Sequence, residues 1–507
     1  METTIFGPPG TGKTTKLLNI VDDALQEGTH PTRIGFFSFT RKAAEEARSR
    51  AVNKFNLDVK DFVNFRTLHS LAYHTLGLQK PDVLRSGDWN ELSEIVGLPF
   101  TSNGSLNMDE GLLFKPGRGG DAYINVINLA RVKGIDLIRQ FNSMDDWRLS
   151  RSQLEVVDSA LKSYKSVKGK LDFVDMIEQF IENGEAPYLD LLIVDEAQDL
   201  APLQWRMVKE VLVPRAENIY YAGDDDQCIY NFAGVNVQDF MKSCENIEVL
   251  NKSYRLPPQI FNQASSLISR VGVRQEKHWS PGRHDGSVHW HYDPHTIDME
   301  EGEWLVLGRT NAVVNEFGNA LKNQGMLFWR EGRGKNGWSV SEHILGSLET
   351  WIRLCRGEDI SFDTLRAFTK FVRIEVASRS AKRKMNSLDG EMTYNLDYLI
   401  KNCGFQADSQ THWSNVIKVS DKEVTYITAV RRMGEKILGN TKPRIRLSTI
   451  HGAKGGEADN VVLLTETNKA CENSKDQDSE IRCFYVGMTR AKKSLHIVES
   501  GDTRFRI

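Results

Sequence analysis

The feature that most constrains the fold is a glycine-rich segment near the start of the chain, Gly7-Pro8-Pro9-Gly10-Thr11-Gly12-Lys13-Thr14. It fits the pattern G-x-x-x-x-G-K-[ST], follows the short apolar run at residues 3–6 and precedes a predicted helix that begins near Lys13. In such a strand–loop–helix unit, glycines let backbone N–H groups surround a phosphate, the lysine neutralises phosphate charge and the hydroxyl ligates Mg²⁺. The segment therefore predicts a nucleotide-binding α/β sheet, with Lys13 on the β- and γ-phosphates and Thr14 on the metal.

Short apolar runs, bounded by glycine or acidic residues, alternate with helical stretches along most of the chain. This alternation is typical of parallel sheets that are covered by helices. We predict the strands of a first sheet at residues 3–6, 34–39, 191–194 and 219–222, and those of a second sheet at 304–307, 445–449, 460–464 and 495–498. The predicted fold class is therefore α/β, with two parallel-sheet cores.

Two stretches between the predicted strands have the amphipathic pattern of helices and are interpreted as helical insertions. The predicted helices span residues 122–132 and 154–166 in the first insertion and 344–354 and 424–438 in the second, which also has a loop near 386–390. Residues 113–170 contain 11 Lys/Arg against 6 Asp/Glu, and residues 371–444 contain 13 against 8. This mild basic excess fits a solvated surface about as well as it fits contact with DNA.

Composition excludes several classes of protein. Lys and Arg total 65 against 68 Asp and Glu, and a net charge of −3 means that any nucleic-acid surface must be local. The six cysteines form no C-x-x-C pair, which argues against a zinc knuckle or a redox motif and favours free thiols in a reducing cytoplasm. No apolar run approaches the ~20 residues that span a bilayer, and the first residues lack the basic region of a signal peptide. We therefore expect a cytoplasmic protein with no membrane insertion.

Residues 288–295 contain a histidine cluster, His289, His291 and His295, close to Asp293. Clusters of histidine and aspartate can bind zinc. Alternation along an exposed strand explains these histidines more simply, and this is the interpretation we prefer.

Two adjacent carboxylates, Asp195 and Glu196, follow the predicted strand at 191–194. Ligand sites of open α/β sheets lie at the carboxyl ends of the strands, so both carboxylates are expected near the phosphate loop. We expect Asp195 to hold Mg²⁺ and Glu196 to orient and deprotonate the attacking water. The strand at 219–222 is followed by three aspartates at 224–226 and by Gln227, which is placed to sense a γ-phosphate, although three aspartates alone also fit a solvated turn.

Taken together and in order, these segments resemble the motifs of superfamily 1 helicases of the UvrD/Rep type. The resemblance rests on Phe-Thr-Arg-Lys-Ala-Ala-Glu at 39–45 (motif Ia), Thr-Leu-His-Ser at 67–70, Glu-Ala-Gln-Asp at 196–199 (motif II), Gly-Asp-Asp-Asp-Gln-Cys-Ile-Tyr at 223–230 (motif III), Asn-Lys-Ser-Tyr-Arg at 251–255 (motif IV), Ser-Thr-Ile-His-Gly-Ala-Lys-Gly-Gly-Glu at 448–457 (motif V) and Phe-Tyr-Val-Gly-Met-Thr-Arg-Ala at 484–491 (motif VI). Lys165 and Leu171-Asp172-Phe173 also resemble the family's first helical insertion.

The resemblance implies two RecA-like cores with ATP and Mg²⁺ in the cleft between them, so that hydrolysis opens and closes the cleft and moves a DNA strand. It also implies that Arg255 and Arg490 are arginine fingers from the second core and that Tyr254 stacks on adenine. Guanidinium groups that reach a transferring phosphoryl group accelerate its transfer by roughly 10³–10⁵. The complete set of expected nucleotide contacts is Gly7, Pro8, Pro9, Gly10, Thr11, Gly12, Lys13, Thr14, Thr15, Tyr254 and Glu457.

The resemblance likewise assigns DNA binding to a set of hydroxyl, imidazole and aromatic side chains. Sequence-tolerant binding of a single strand uses hydroxyl donors to phosphate and aromatic faces for bases. The assigned residues are Thr40, Thr67, His69, Tyr230, Phe232, Thr449 and His451. Taken alone, Tyr230 and Phe232 would more commonly be core residues.

The chain also departs from the family pattern. Only six residues precede Gly7, so we expect the chain to lack the family's adenine-reading glutamine motif and to prefer ATP over other nucleotides less strongly. The family's Trp-Arg-Gly after motif III is replaced by Phe232-Ala233-Gly234, which removes a basic side chain near the DNA. The second insertion, of about 100 residues, is shorter than the family's large regulatory subdomain. We expect no RecB-like nuclease module, because the sequence stops nine residues beyond Val498.

The expected domain boundaries follow from the order of motifs and insertions. We predict a first RecA-like core at 1–75 and 188–255 with a helical insertion at 76–187, and a second core at 256–340 and 443–507 with a reduced helical insertion at 341–442.

The predicted function is that of an ATP-dependent DNA helicase that moves 3′-to-5′ on single-stranded DNA and unwinds duplex DNA. One alternative is a DNA-stimulated ATPase that displaces or remodels nucleoprotein without processive unwinding, which the short second insertion and Ala233 favour. An AAA+ remodeller would share the phosphate loop but does not predict Tyr254-Arg255 or Thr489-Arg490-Ala491. RNA is a further alternative substrate, because phosphate and stacking contacts do not exclude a 2′-hydroxyl. Protein partners are not indicated by the sequence.

Overall fold

The structure, a computed structural model, describes residues 1–100, 119–144, 149–332, 337–432, 443–472, 474, 476–499, 501 and 504–507. The chain forms two compact units, the first from Met1–Gly286 and Lys475–Thr489 and the second from Ser287–Ser474 and Arg490–Ile507. Within the described ranges, no helix combines the length and the apolar composition that crossing a membrane requires.

A six-stranded parallel sheet forms the centre of the first unit. Its strands are β1 (Glu2–Phe6), β2 (Ile34–Ser38), β3 (Phe65–Thr67), β4 (Leu189–Asp195), β5 (Ala216–Gly223) and β6 (Ile247–Val249). They lie in the order β3-β2-β4-β5-β1-β6, with β3 and β6 at the edges. Because every pair is parallel, the carboxyl ends of β1, β4 and β5 meet at one edge of the sheet. This edge therefore collects the phosphate loop, the paired carboxylates and the three aspartates.

Helices follow the strands of this sheet and build the first insertion. In chain order they are α1 (Lys13–Gln26), α2 (Arg41–Phe55), α3 (Leu68–Thr75), α4 (Ser86–Val96), α5 (Gly120–Lys133), α6 (Leu137–Asn142), α7 (Arg151–Lys168), α8 (Phe173–Asn183), α9 (Pro202–Arg206), α10 (Val237–Met241) and α11 (Pro258–Ile268). In α1, Leu17, Leu18 and Val21 recur on one face and pack against Ile5 and Phe36 of the sheet.

The first insertion is a helical layer with its own apolar core and a buried ion network. Trp89, Tyr123 and Leu161 belong to the core, which joins α4, α5 and α7. Arg131 Nη1 lies 2.9 Å from Asp172 Oδ2, and Lys165 Nζ lies 2.8 Å from the same oxygen. Partnered charges of this kind fix the register of packed helices, since an unpaired buried charge would be costly.

The second unit contains another six-stranded parallel sheet. The remaining strands of the chain are β7 (Ser287–His291), β8 (Trp304–Gly308), β9 (Phe328–Arg330), β10 (Ile360–Ser361), β11 (Thr393–Tyr394), β12 (Ile445–Thr449), β13 (Ala458–Leu464) and β14 (Ala491–Val498). The sheet has the order β7-β14-β13-β8-β12-β9, whereas β10 and β11 form a separate antiparallel pair. Val306, Leu447 and Val462 lie at its apolar centre.

Helices follow the strands of the second unit and build its insertion. They are α12 (Asn311–Asn323), α13 (Glu342–Cys355), α14 (Phe362–Thr369), α15 (Arg379–Asn386), α16 (Leu396–Tyr398), α17 (Trp413–Val416), α18 (Asp421–Arg432) and α19 (Lys469–Glu472), whereas α20 (Gln477–Met488) belongs to the first unit. Trp351, Phe368, Met385 and Ile427 share one buried apolar cluster, so the second insertion is packed around a core of its own.

The predicted fold class, two parallel-sheet α/β cores with mainly helical insertions, is confirmed. Each predicted strand overlaps an observed one; β2 ends at Ser38 rather than residue 39 because Thr40 already caps α2. The predicted helix at 424–438 corresponds to α18 as far as Arg432, and its residues 433–438 lie outside the described residues. Of the three clustered histidines, His289 and His291 lie on β7, but His295 lies in the turn Pro294–Thr296, so strand alternation explains only two of them.

The division into units differs from the predicted boundary at residues 255 and 256. Helix α11 and residues 272–277 belong to the first unit, because Arg274 and Lys277 form ion pairs with the aspartates that follow β5. Helix α20 also belongs to it, since Arg482 donates a hydrogen bond to the carbonyl oxygen of Asp225.

Candidate active site

The phosphate loop connects β1 to α1 through two glycines in the left-handed region. Gly10 has φ of +73° and Gly12, the residue that caps α1, has φ of +79°. Residues with a side chain rarely adopt this conformation, so the loop depends on glycine at both positions. Thr11 closes the turn by donating from its hydroxyl to the carbonyl oxygen of Pro8 at 2.8 Å.

The space around the loop also requires glycine. A Cβ added to Gly7 would lie 3.0 Å from Cβ of Lys13, and one added to Gly10 would lie 2.3 Å from Cβ of Arg255. Such close backbone approach is what a cradle for phosphate oxygens needs. The neighbouring hydroxyl of Thr14 and the carboxylate of Asp195 are oxygen donors of the kind that Mg²⁺ prefers. The residues present therefore fit a nucleotide phosphate with Mg²⁺.

Lys13 connects this loop to the carboxylates at the end of β4. Its Nζ lies 2.7 Å from Oε1 of Glu196 and 3.8 Å from Oδ1 of Asp195. Burial by itself would lower the pKa of the Lys13 amine, but the two carboxylates outweigh burial and hold that pKa above its ordinary value. Lys13 is thus a fixed cation at the point where the loop and β4 meet.

Asp195 and Glu196 have different environments although they are adjacent. Asp195 is buried, and burial raises its pKa to about 6 even though Lys13 acts in the opposite direction. Glu196 is partly exposed and has φ of +54°, an uncommon backbone conformation for a residue with a side chain. Backbone strain of this kind clusters at functional sites. Gln198 Nε2 donates to Oε2 of Glu196 at 2.6 Å and so orients the carboxylate.

The three aspartates after β5 are buried around a lysine. Lys277 Nζ lies 2.7 Å from Asp224 Oδ1 and 2.8 Å from Asp226 Oδ2, and it also pairs with Asp225; its side chain is 0% exposed. Burial alone would lower the pKa of Lys277, but the carboxylates raise it above its ordinary value. The alternative of a solvated turn is therefore wrong for residues 224–226, because all three carboxylates are buried around the Lys277 amine.

Gln227 and Gln198 link this aspartate cluster to the carboxylates of β4. Gln227 Nε2 donates to Asp224 Oδ2 at 2.8 Å. The backbone N–H of Asp224 donates to Oε1 of Gln198 at 3.1 Å, and the amide group of Gln198 bonds to Glu196. One hydrogen-bonded chain thus connects Glu196, Gln198, Asp224 and Gln227.

The segment 251–256 packs directly on the phosphate loop. Tyr254 donates its backbone N–H to the carbonyl oxygen of Gly10 at 2.8 Å, and the Ser253 hydroxyl donates to that of Pro9 at 2.8 Å. The Tyr254 side chain is 71% exposed beside the loop, as a stacking surface for a flat ring must be. Arg255 lies in the first unit together with the loop, and its role as an arginine finger stays a prediction.

Comparison with known proteins agrees with this geometry. Residues 1–248 match the UvrD/REP helicase N-terminal domain, and residues 365–501 match the UvrD-like helicase C-terminal domain. The chain belongs to the UvrD/Rep helicase family. Membership confirms the enzyme class predicted from the sequence, that of ATP-hydrolysing DNA helicases.

Curated relatives of this helicase align over almost all of it at low identity. A probable DNA helicase II homolog from Mycoplasma genitalium is 21% identical, covering 97% of this chain and 82% of the relative. The ATP-dependent DNA helicase Rep of Buchnera aphidicola subsp. Acyrthosiphon pisum is 22% identical, covering 97% of this chain and 91% of the relative. The ATP-dependent DNA helicase UvrD2 of Mycobacterium tuberculosis is 24% identical, covering 97% of this chain and 75% of the relative.

The residues predicted to bind DNA in the first unit of the helicase occupy contrasting positions. Thr40 and Thr67 cap α2 and α3, and their hydroxyl oxygens accept from the backbone N–H of Ala43 and Ser70, each at 3.2 Å. His69 is buried, and its Nε2 has no hydrogen-bond partner.

The two aromatic residues after motif III also differ from each other. Tyr230 is buried with its ring stacked on Phe39, the ring centroids being 5.5 Å apart. Phe232 is half-exposed and meets the ring of Tyr230 edge-on at 6.1 Å. Phe232 is therefore the more exposed ring of this pair, whereas Tyr230 is buried against Phe39.

The predicted residues of motifs V and VI lie in the second unit of the helicase. Thr449 ends β12 and accepts at its hydroxyl oxygen from the N–H of Gly452 at 3.1 Å, which shapes the turn that carries His451. Oε1 of Glu457 lies 3.7 Å from Nζ of Lys492. Arg490 is buried and donates from Nη1 to the carbonyl oxygen of Gly456 at 3.4 Å.

Sequence reasoning missed the residues that support this site. Lys277, Arg274 and Arg482 bind the aspartate cluster, and Gln198 connects it to Glu196. Gln198 lies inside motif II, which was a usable signal. Lys277 lies in a polar stretch with no periodic pattern, so its complete burial had no sequence signal.

Proposed function

We propose that this helicase hydrolyses ATP with Mg²⁺ at the segment Gly7–Thr14 and uses the energy to move 3′-to-5′ along single-stranded DNA and separate duplexes. The observation that carries the proposal is the Lys13–Glu196 ion pair at 2.7 Å beside Asp195, on a loop whose glycines leave room for phosphate oxygens. This arrangement combines a cation for phosphate charge, a carboxylate for the metal and a carboxylate for the attacking water.

Each residue of the first unit has a separate proposed role. Thr14 and Asp195 hold Mg²⁺, which neutralises charge on the phosphates when it is bound. Lys13 releases Glu196 as it binds phosphate oxygens, and Glu196 accepts the proton of the attacking water. Gln227 senses the state of the γ-phosphate and transmits it to Asp224.

Further nucleotide contacts are proposed from exposed or strongly basic groups. Tyr254 stacks on the adenine, and Thr15 and Glu457 add polar contacts. Arg255 and Arg490 stabilise the negative charge that develops during transfer, because a guanidinium group presents a planar fork of donors to phosphate oxygens. Arg255 is supported by its position, since its Cβ lies against Gly10.

The proposed DNA contacts lie on both units. They are Thr40, Thr67, His69, Tyr230 and Phe232 in the first unit and Thr449 and His451 in the second. Hydroxyl and imidazole groups suit phosphate oxygens, and the half-exposed ring of Phe232 suits a base. We further propose that the protein works in the cytoplasm, because its six cysteines are free thiols, which fit a reducing compartment.

Polarity and unwinding are tested by strand displacement. Duplexes with a 3′ tail, a 5′ tail or no tail are incubated with the protein, ATP and Mg²⁺, and the released strand is measured. We expect release only from the 3′-tailed duplex, and none when Glu196 is replaced by Gln. Unwinding restricted to 5′-tailed duplexes would refute the proposed polarity.

A second candidate function is favoured by one position in the site. Ala233 is 1% exposed where the family has arginine, so this turn contributes no cation to a DNA strand. Weaker binding of the DNA strand suits a DNA-stimulated ATPase that displaces bound proteins without processive unwinding. DNA-stimulated ATP hydrolysis and removal of a protein block from a 3′-tailed strand, without strand release from the naked duplex, would select this second function.

A further inference from the structure

Arg66 lies on β3, the edge strand of the first sheet, directly before Thr67. Its Nε atom is buried and has no hydrogen-bond partner. A buried donor without a partner has lost its hydrogen bonds to water and has gained none from the protein. Such atoms are therefore uncommon unless a ligand accepts a hydrogen bond from them.

The charges near Arg66 make this orphan donor more unusual. Its pKa is lowered by burial and by repulsion from Arg48 on α2, and the pKa of His74 on α3 is lowered by burial and by Arg66. In the part of the chain that the structure describes, neither Arg48 nor Arg66 forms an ion pair with a carboxylate. Arg48, Arg66 and His74 are therefore neighbouring basic groups, and the two arginines have no carboxylate counter-ion among the described residues.

Other arginines on the same helix are balanced. Arg41 pairs with Glu45 at 2.8 Å, and Arg50 pairs with Glu46. Helix α2 thus supplies acidic partners for Arg41 and Arg50, but among the described residues Arg48 has none. The imbalance is local to the Arg48–Arg66 corner.

Two further polar atoms near Thr67 have no partner. Ser38 Oγ, at the end of β2, and His69 Nε2, in the first turn of α3, are both buried and unbonded. Ser38 is the register partner of Thr67 in the β2–β3 pair. Orphan groups therefore flank the position where a DNA strand is proposed to contact Thr67 and His69.

We propose that Arg66, with Arg48 beside it, binds one phosphodiester group of a nucleic-acid strand, as an additional contact next to Thr67. The ligand is an oxyanion, because only an anion both satisfies the Nε donor and relieves the repulsion among the cations. The inference rests on the proposed function, since it assumes that the strand passes Thr67. It adds a charge contact in a protein whose turn at 232–234 contributes none.

The test measures how DNA binding by the full chain depends on salt. Fluorescence anisotropy with a labelled oligothymidine is recorded across a series of salt concentrations for the wild type, for Arg66→Gln and for the control Arg50→Gln. Each neutralised phosphate of a single strand contributes about 0.7 to the slope of log K against log salt. We expect Arg66→Gln to reduce the slope by about 0.7 and the affinity about fivefold at 0.1 M salt. Arg50→Gln should leave the slope unchanged, because Glu46 already balances that charge.

The outcomes are distinguishable. An unchanged slope and affinity in Arg66→Gln, with a wild type that binds DNA, would overturn this inference and leave the proposed function standing. A wild type that binds no DNA would overturn both. If inorganic phosphate raises the thermal unfolding temperature of the wild type but not of Arg66→Gln, and DNA binding is equal in both, the site takes free phosphate and the inference is wrong.

A second variant guards against a folding defect. Arg66→Gln removes charge repulsion, so its unfolding temperature should equal or exceed that of the wild type. If Arg66→Gln nevertheless fails to fold, Arg48→Gln replaces it in the test, because it removes the other cation of the pair. A smaller slope of log K against log salt in Arg48→Gln supports the inference, and an unchanged slope overturns it.

Discussion

Nζ of Lys13 and Oε1 of Glu196 form a direct ion pair at 2.7 Å, so the cation of the phosphate loop holds the carboxylate that is proposed to activate water. Gln198 donates to the second oxygen of the same carboxylate. Both oxygens of Glu196 are therefore positioned by groups that also touch the phosphate loop or the aspartate cluster.

Replacing Glu196 by Gln removes the proposed base but keeps the shape of the side chain. We expect the turnover number for ATP to fall by at least about 10²-fold, because a positioned general base contributes roughly 10²–10⁴. Nucleotide affinity should persist, since Lys13 remains; Lys13→Ala should weaken both. Steady-state hydrolysis and fluorescent nucleotide binding measure the two quantities. Glu248→Gln, which breaks the exposed Lys16–Glu248 pair, is the matched control and should hydrolyse ATP normally.

A glycine substitution tests the close approach in the phosphate loop. Gly10→Ala would place Cβ 2.3 Å from Cβ of Arg255 at φ of +73°, whereas Gly77→Ala adds Cβ to open space at φ of +67°. We expect Gly77→Ala to cost only the conformational penalty of about 1–2 kcal/mol. Gly10→Ala should cost more and should also reduce ATP hydrolysis, because segment 253–255 must move. Urea unfolding and hydrolysis rates of the two variants check this, and equal effects would contradict it.

Lys277 is expected to be essential for the stability of the first unit. Lys277→Met leaves Asp224, Asp225 and Asp226 buried without their shared cation. Breaking a buried ion pair from one side costs about 3–5 kcal/mol, so urea unfolding should shift by that amount. Adding Asp225→Asn should restore part of the loss, since one unpaired charge is then removed.

The control for this variant is Lys242→Met. The exposed side chain of Lys242 donates only to Gln238 in the hydrogen bonds that the structure gives, so the free energy of unfolding of this variant should change by less than about 0.5 kcal/mol. A small effect of Lys277→Met would show that the aspartates are hydrated rather than buried.

His69 makes stability depend on pH in a defined direction. Burial lowers its pKa from 6.5 to about 4, so the unfolded chain binds a proton that the folded chain excludes between these values. The stability due to neutral His69 is fully present above pH 6.5 and is lost as the pH falls towards 4. At pH 4.5 the wild type should have lost about 2–3 kcal/mol that His69→Gln does not lose.

The measurement is urea unfolding of both proteins at pH 7.5 and pH 4.5 without DNA. His278→Gln, in which an exposed ring is replaced, is the control and should follow the wild type at both values. Parallel behaviour of His69→Gln and the wild type would show that His69 is protonated in the folded state.

Much of the fold and of the candidate site could be predicted from the sequence, because these features depend on residues that are adjacent in the chain. The phosphate loop, the long central strands and the carboxylates after β4 are each determined by a few adjacent residues. Short edge strands such as β3 and β6 have three residues each and too little pattern to be recognised. The burial of Lys277 could not be predicted, because it depends on Asp224, Asp225 and Asp226, which lie far away in the sequence. The contact of Tyr254 with the phosphate loop could not be predicted for the same reason: its backbone N–H donates to the carbonyl oxygen of Gly10, which lies on the other side of the first insertion.

Helix α20 has a consequence for synthesis of the chain. The buried Arg482 bonds to the carbonyl oxygen of Asp225 across 257 residues of sequence. A ribosome therefore makes the whole second sheet except β14 before the first unit can bury its last core helix. Until then the apolar face of α11 against which α20 packs is uncovered, so the nascent first unit is a natural client for chaperones. For the same reason, expression of residues 1–286 alone should give a fragment that aggregates.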